Sequence, residues 1–250
     1  MRRVTLITGA SAGLGAEFAR QCAGRGEELV LVARRRDRLD SLAAEIGSAH
    51  VLASDLSEPH APQRLAEEIA ALGLTVSTLI NSAGFGLAGR FDSLPPERQL
   101  EMVGLNIRAL TALCRLFLPA MVERRSGAIL NVASTAAFQA GPHMAVYYAS
   151  KAYVLSLTEA LHQELKGTGV RVTALCPGPV STEFFEVAGA ANSRLARMGA
   201  DAPGVVRAGL RGLDRNRAIV IPGIRNRVGA QASRFLPRAA MRRIIASIKA

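Results

Sequence analysis

Val4-Thr5-Leu6-Ile7-Thr8-Gly9-Ala10-Ser11-Ala12-Gly13-Leu14-Gly15 is the stretch that decides the fold. An apolar run breaks into a glycine cluster, and an amphipathic helical pattern begins at once. Glycine tolerates the positive φ of a tight turn and lets backbone approach a pyrophosphate, whose charge sits well at a helix N-terminus. The spacing is not the GxGxxG of the common dinucleotide fingerprint. Its place at the first strand–helix junction nevertheless points to a nucleotide-binding turn.

Outward from that turn, short apolar runs alternate with helix-sized stretches. Strands are expected at Val4–Thr8, Glu28–Ala33, His50–Ala53, Thr78–Asn81, Gly127–Val132, Val170–Leu175 and Ala218–Ile221. Most are continuously apolar, as strands covered on both faces are. Helices are expected at Leu14–Gly24, Asp37–Ile46, Gln63–Leu72, Pro96–Glu123, Tyr147–Lys166 and Gly204–Leu213. This alternation predicts an α/β, doubly wound Rossmann fold: one mainly parallel seven-stranded sheet with helices on both faces. No linker or repeat divides the chain, so residues 1–250 read as a single domain. In such sheets ligands bind beyond the carboxyl ends of the strands, where strand order reverses.

The 250 residues carry a formal net charge of +11. That excess invites a nucleic-acid partner, but no zinc finger, helix-turn-helix or RNA-binding motif accompanies it, and none is expected. An arginine-rich composition and a phosphate-bearing ligand account for it. The N-terminus lacks the pattern of a secretory signal, and no window reads as a membrane span. Cys22, Cys114 and Cys176 are widely spaced and odd in number, which fits a reduced, cytoplasmic protein without a disulfide framework. His50, His60 and His162 show no ligand spacing, and no metal site is expected.

The second strand ends Ala33-Arg34-Arg35-Arg36. A site for an unphosphorylated ribose usually places an acid here to bond its hydroxyls. Ala33 stands at that place, and guanidinium forks match phosphate geometry, with Arg34 the first choice and Arg35 the second. The pattern favours NADP(H) over NAD(H).

Tyr147 and Lys151 stand at i and i+4 in Tyr147-Tyr148-Ala149-Ser150-Lys151, on one helical face. A phenol titrates near pH 10, and a neighbouring ammonium is expected to lower that value, giving a general acid/base. Tyr148 has Ala152 at i+4 and cannot pair in this way. Ser134 lies at the tail of the fifth strand, where a hydroxyl can bond a carbonyl oxygen that gains negative charge.

Taken together, these motifs resemble the short-chain dehydrogenase/reductase family. Thr8, Gly9, Gly13 and Gly15 match each fixed position of its TGxxxGxG pattern, and the resemblance runs from Val4 to about Gly223. It implies hydride transfer between NADP(H) and a small carbonyl or alcohol substrate. The implied catalytic set is Ser134, Tyr147, Lys151 and Asn106, with Asn106 holding a water linked to the lysine. The implied cofactor contacts begin with Gly9, Ser11, Gly13, Leu14 and Gly15 in the turn, then Arg34, Arg35, Asp55 and Leu56. Asn81, Ala83 and Gly84 follow, from Asn81-Ser82-Ala83-Gly84, where Ser82 replaces the second Asn of the family's NNAG. Tyr147 and Lys151 join them, and Pro177, Gly178, Val180 and Thr182 flank the nicotinamide. The family also implies a homodimer or homotetramer.

Phe184 to Ala202 is expected to form an apolar substrate lid carrying Phe184, Phe185, Val187, Leu195 and Met198. The extension from Gly223 to Ala250 carries seven basic residues and no acid, with Met241, Ile244, Ile245 and Ile248 on one helical face. Packing or an oligomer contact is the favoured reading, and an anionic membrane surface the other. A cofactor-binding regulatory or scaffold protein would predict a broken Ser, Tyr or Lys, yet all three are present.

Overall fold

Seven parallel strands form one sheet in the order β3-β2-β1-β4-β5-β6-β7. The structure, a computed structural model, describes all residues except Met1, Ser48, Asn192, 194–198, Leu236 and Ala250. The strands are β1 (Arg2–Thr8), β2 (Leu29–Ala33), β3 (Ala49–Ala53), β4 (Leu74–Asn81), β5 (Gly127–Val132), β6 (Val170–Leu175) and β7 (Ile219–Val220). β5 and β6 have the bounds expected from the sequence. β4 begins earlier, because Leu74 and Val76 are buried beside Arg2 and Val4 of β1. β7 is shorter than expected and pairs with β6 through Ile219 and Val220.

The helices between β1 and β6 are α1 (Gly13–Ala23), α2 (Arg36–Ile46), α3 (Ala61–Ala71), α4 (Pro96–Val103), α5 (Leu110–Glu123) and α6 (Ala145–Glu164). After β6 come α7 (Phe184–Val187), α8 (Ala202–Asp214), α9 (Ile224–Phe235) and α10 (Arg238–Lys249). Both faces of the sheet are covered, which is why its strands lack polar alternation. On one face Leu6, Val30 and Val32 meet Leu65 of α3, Leu113 of α5 and Val154 of α6. On the other, Ile7, Leu29 and Leu31 meet Phe18 of α1, Leu39 of α2 and Leu210 of α8. Each such buried side chain contributes about 1.5–3 kcal/mol.

The stretch expected as one helix, Pro96–Glu123, is interrupted by a π turn at Gly104–Ala109. It is also long and apolar enough to cross a membrane, contrary to the sequence expectation. Its Leu110, Leu113, Cys114 and Met121 instead face the core against the sheet.

Strand order reverses between β1, which leads outward to β2 and β3, and β4, which leads to β5. Thr8 and Asn81 are register partners at this switch point. Thr8 Oγ1 accepts from the backbone N–H groups of Ser82 and Ala83, both at 3.1 Å, and so locks the two loops that leave the sheet here.

Candidate active site

A cleft of about 500 Å³ opens at the carboxyl ends of the strands. Its floor is the glycine turn: Gly9, Ser11, Gly13, Leu14 and Gly15 all line it. Gly15 has no room for a side chain, since a Cβ there would fall 2.1 Å from Gly9 O. Gly9 itself holds φ +70°, the left-handed region that glycine enters without strain. α1 starts at this floor with no side-chain cap and no acid in its first turn. Its leading N–H groups are therefore available to an anion.

At one end of the cleft stand Ala33, Arg34, Arg35, Asp55 and Leu56. Arg34 Nη1 lies 3.2 Å from Glu101 Oε1 and 3.6 Å from Asp55 Oδ2. Asp55 Oδ1 accepts from Ser57 N at 2.9 Å and Ser57 Oγ at 2.6 Å. Burial alone would raise its pKa, but those hydrogen bonds and Arg34 outweigh it and hold the carboxyl below its ordinary value. Arg35 donates to Ser11 Oγ from Nε (3.3 Å) and Nη2 (3.2 Å), and from Nη1 to Glu183 Oε2 (3.0 Å). Arg38 also pairs with Glu183. Arg38 and Glu183 were not picked out from the sequence, because a lone acid after Thr182 gives no local sign of facing α2.

At the other end Tyr147 and Lys151 both line the cleft from α6 and are almost fully buried. The i, i+4 spacing does bring them to one face. Lys151 Nζ donates to Val132 O at 2.7 Å and lies 5.9 Å from the centre of the Tyr147 ring. Ser134 lines the same part of the cleft as Tyr147, and its Oγ donates to Pro177 O at 3.5 Å. Ser134 Oγ also accepts from Ala136 N at 3.1 Å, which caps the short 3-10 turn Thr135–Phe138 and fixes the hydroxyl.

The expected lowering of the phenol pKa by the amine does not hold in this structure. Burial pushes Tyr147 up to about 12, with the nearby Ser134 hydroxyl pulling the other way. Burial also pushes Lys151 down to about 8, which weakens the ammonium that was to do the lowering. Two polar groups withdrawn from water each favour their neutral form.

Asn106 sits in the π turn and is buried. Its Nδ2 donates to Phe85 O and Ser150 Oγ, each at 3.0 Å, and its Oδ1 accepts from Phe85 N at 3.2 Å. A Cβ on Gly84 would come 2.9 Å from Asn106 Oδ1 and 3.5 Å from Lys151 Nζ. Asn106 thus stands behind the wall and braces it, while Gly84 and Ala83 line the cleft with Ser82.

Asn81 departs from its expected place. It does not line the cleft; Nδ2 donates to Asn131 Oδ1 at 2.9 Å, and Asn131 Nδ2 donates to Thr158 Oγ1 at 3.0 Å. This buried chain ties β4 to β5 and α6. Asn81 closes β4 with its side chain turned into the sheet, and with both faces covered no alternation in the sequence reveals the direction.

Pro177, Gly178, Val180 and Thr182 follow β6 along the cleft, and Phe184, Phe185 and Val187 continue it on the short helix α7. Leu195 and Met198 of the expected lid lie outside the described residues. Gln139, Met144, Tyr148 and Ile245 also line the cleft; nothing in their local sequence marks the first two, and Tyr148 has Ala152 at i+4 in place of a lysine. Of the apolar face expected on α10, Ile245 packs against the cluster that contains Tyr147, Ile244 is 43% exposed, and the side chain of Ile248 is outside the description. That contact favours the packing reading of this helix. Among the described residues no cluster of His, Cys, Asp or Glu could hold a metal ion.

A family model for short chain dehydrogenases matches residues 3–193. Over 194 residues the chain is 37% identical to sulfoacetaldehyde reductase 2 of Chromohalobacter salexigens, a match covering 74% of this chain and 75% of that protein. A short-chain dehydrogenase from Sphingobium yanoikuyae, solved in complex with NADPH, shares 33% identity at a TM-score of 0.83, over 96% of this chain and 95% of that one. A short chain dehydrogenase/reductase from Burkholderia phymatum, solved in complex with NAD, shares 26% identity at a TM-score of 0.82, over 92% of each chain.

Proposed function

The chain belongs to the short chain dehydrogenase family of oxidoreductases, and on that premise we propose that it is an NADP(H)-dependent enzyme interconverting a carbonyl and its alcohol, with Tyr147 as general acid/base. The observation that carries this reading is the convergence of Ser134, Tyr147 and Lys151 on the wall of one cleft that also holds the glycine turn. The donor set fits a phosphorylated dinucleotide: an uncapped helix N-terminus over the glycine turn, then Ser11, Arg34 and Arg35 at the far end. When bound, the cofactor supplies or accepts the hydride.

In reduction, Tyr147 Oη gives its proton to the substrate oxygen while the Ser134 hydroxyl bonds the same oxygen and stabilises the charge that gathers there. The raised phenol pKa keeps that proton in place at neutral pH, so the enzyme rests in the form reduction consumes. Lys151, fixed on Val132 O, is placed to hold the nicotinamide ribose and to steady Tyr147 as charge develops. Asn106 positions Ser150 and the Phe85 backbone around it. Arg34 and Arg35 take the 2′-phosphate, and Asp55 with Leu56 flanks the adenine.

Relatives bearing reductase names and the NADPH complex of the Sphingobium protein support this choice of reaction and cofactor. Exposed Leu100 and Val103 on α4 and Tyr153 on α6 support association as a homodimer or homotetramer. The three buried, unpaired thiols support a reducing, cytoplasmic setting. Fluorescence titration with NADPH and NADH, followed by a panel of ketones and aldehydes, tests the reading. Micromolar NADPH binding and carbonyl-dependent oxidation are expected; NADPH binding with no turnover of any carbonyl would leave the regulatory protein instead.

A further inference from the structure

The charges on the cleft wall are not spread evenly. Arg34, Arg35, Asp55 and Glu183 pair among themselves around the end proposed for the nucleotide phosphate. The remaining charged side chain on the wall, Lys151, is committed to Val132 O. Apart from Ser134 and Lys151, the lining around Tyr147 is largely apolar: Ala136, Met144, Tyr148, Phe184 and Ile245 form one cluster with it. The Tyr147 and Phe184 ring centres lie 5.1 Å apart, and Tyr148 meets Tyr147 edge-on at 6.0 Å. Gln139 is the one amide side chain among the described lining residues.

Ile245 belongs to α10, beyond residues 3–193 that match the family model. The helix turns Ile245 toward the cluster while its neighbours Arg242 and Arg243 stay exposed. A wall of the reaction pocket is thus supplied by the basic C-terminal extension. Set against Ile245, Met144 and Phe184, a carboxylate or sulfonate would lose its hydration with no cation on that wall among the described residues, Arg194 and Arg197 of the expected lid lying outside them; an apolar group does not incur this cost.

We propose that the substrate is an uncharged ketone or aldehyde, or its alcohol, with an apolar group of several carbons that packs against Ile245. The C-terminal helix is then the wall that sets substrate length. This rests on the proposed carbonyl–alcohol chemistry.

The full chain is assayed with NADPH against a homologous series of uncharged 2-alkanones and straight-chain aldehydes. Acetaldehyde carrying a sulfonate and succinic semialdehyde serve as anionic probes. The expected result is kcat/KM rising about threefold per added methylene, mostly through KM, with the anionic aldehydes far poorer. Ile245→Ala should flatten that rise, raising KM for the longer members about tenfold relative to acetaldehyde measured with the same variant. Ile245→Arg should depress the long ketones further and improve the anionic aldehydes. Anionic aldehydes preferred by the wild type, or a chain-length profile unchanged in Ile245→Ala, would overturn this inference and leave the carbonyl chemistry standing. No turnover of any carbonyl despite NADPH binding would overturn both.

Discussion

The Arg35 guanidinium reaches from the end of β2 to Glu183, 3.0 Å away at the foot of α7, while its other nitrogens rest on Ser11 Oγ. Arg38 holds the second oxygen of the same carboxylate, and together these bonds keep Glu183 well ionised. An internal anion therefore rests on a guanidinium assigned to the 2′-phosphate, and a phosphate must compete with it. Each of these side chains is more than a third exposed, so the competition is modest. Glu183→Gln should tighten NADPH binding about threefold and leave NADH nearly unchanged. Fluorescence titration at low and high salt reads this, and the gain should shrink as salt screens the pair. Equal gains for both cofactors would place the phosphate elsewhere.

Arg34 gives a second test of the same end. Its partners are Glu101 of α4 and Asp55 in the loop after β3. Arg34→Ala should weaken NADPH by about tenfold or more, because a charge-assisted bond to phosphate is lost, and change NADH little. Equal loss of both cofactors would refute the phosphate assignment.

Burial of Lys151 predicts a pH signature in stability. Its pKa falls from 10.5 to about 8 on folding. Between those values the unfolded chain holds a proton that the folded chain has shed, so this residue's contribution to stability rises with pH across that window and is lost as pH falls through the folded value. The buried thiols and phenols act in the opposite sense from about pH 9 upward, since their pKa values rise on folding. A difference between variants isolates the lysine. Lys151→Met should be relatively most stable near pH 7, and wild type should gain on it as pH climbs from 8 to 10. The full swing is on the order of 3 kcal/mol. Urea midpoints measured at several pH values read it; parallel curves for the two proteins would mean the amine is not desolvated.

Asn81 separates packing from binding. Removing its amide in Asn81→Ala leaves buried Asn131 Oδ1 with only the Cys114 thiol at 3.8 Å, a loss of about 1–3 kcal/mol. Melting temperature should drop by several degrees while NADPH affinity stays near wild type, since the side chain does not face the cleft. A large fall in NADPH affinity at unchanged stability would restore Asn81 as a cofactor contact.

Much of the architecture was legible because parallel strands announce themselves. Gly127–Val132 and Val170–Leu175 are unbroken apolar runs flanked by turns, and both were read to the residue. The spacing of Tyr147 and Lys151 likewise fixes their shared helical face without further knowledge. What stayed hidden depends on distant contacts. The π turn around Asn106 has no distinctive composition. The orientation of Asn81 is set by Asn131 and Thr158, which chain order places far away. Ile245 and Glu183 acquire meaning only when α10 folds against α6 and α7's foot meets α2. The phenol pKa went against expectation for a related reason, because burial acts on tyrosine and lysine alike.

The central claim is that Tyr147 hands the proton to the reacting oxygen, and single-turnover oxidation of bound NADPH by a saturating carbonyl tests it most directly. Tyr147→Phe keeps the ring that packs on Phe184 and removes only the hydroxyl. The hydride-transfer rate should fall by about 10²–10⁴, with NADPH affinity within about twofold of wild type. A variant that oxidises NADPH at the wild-type rate would contradict the account.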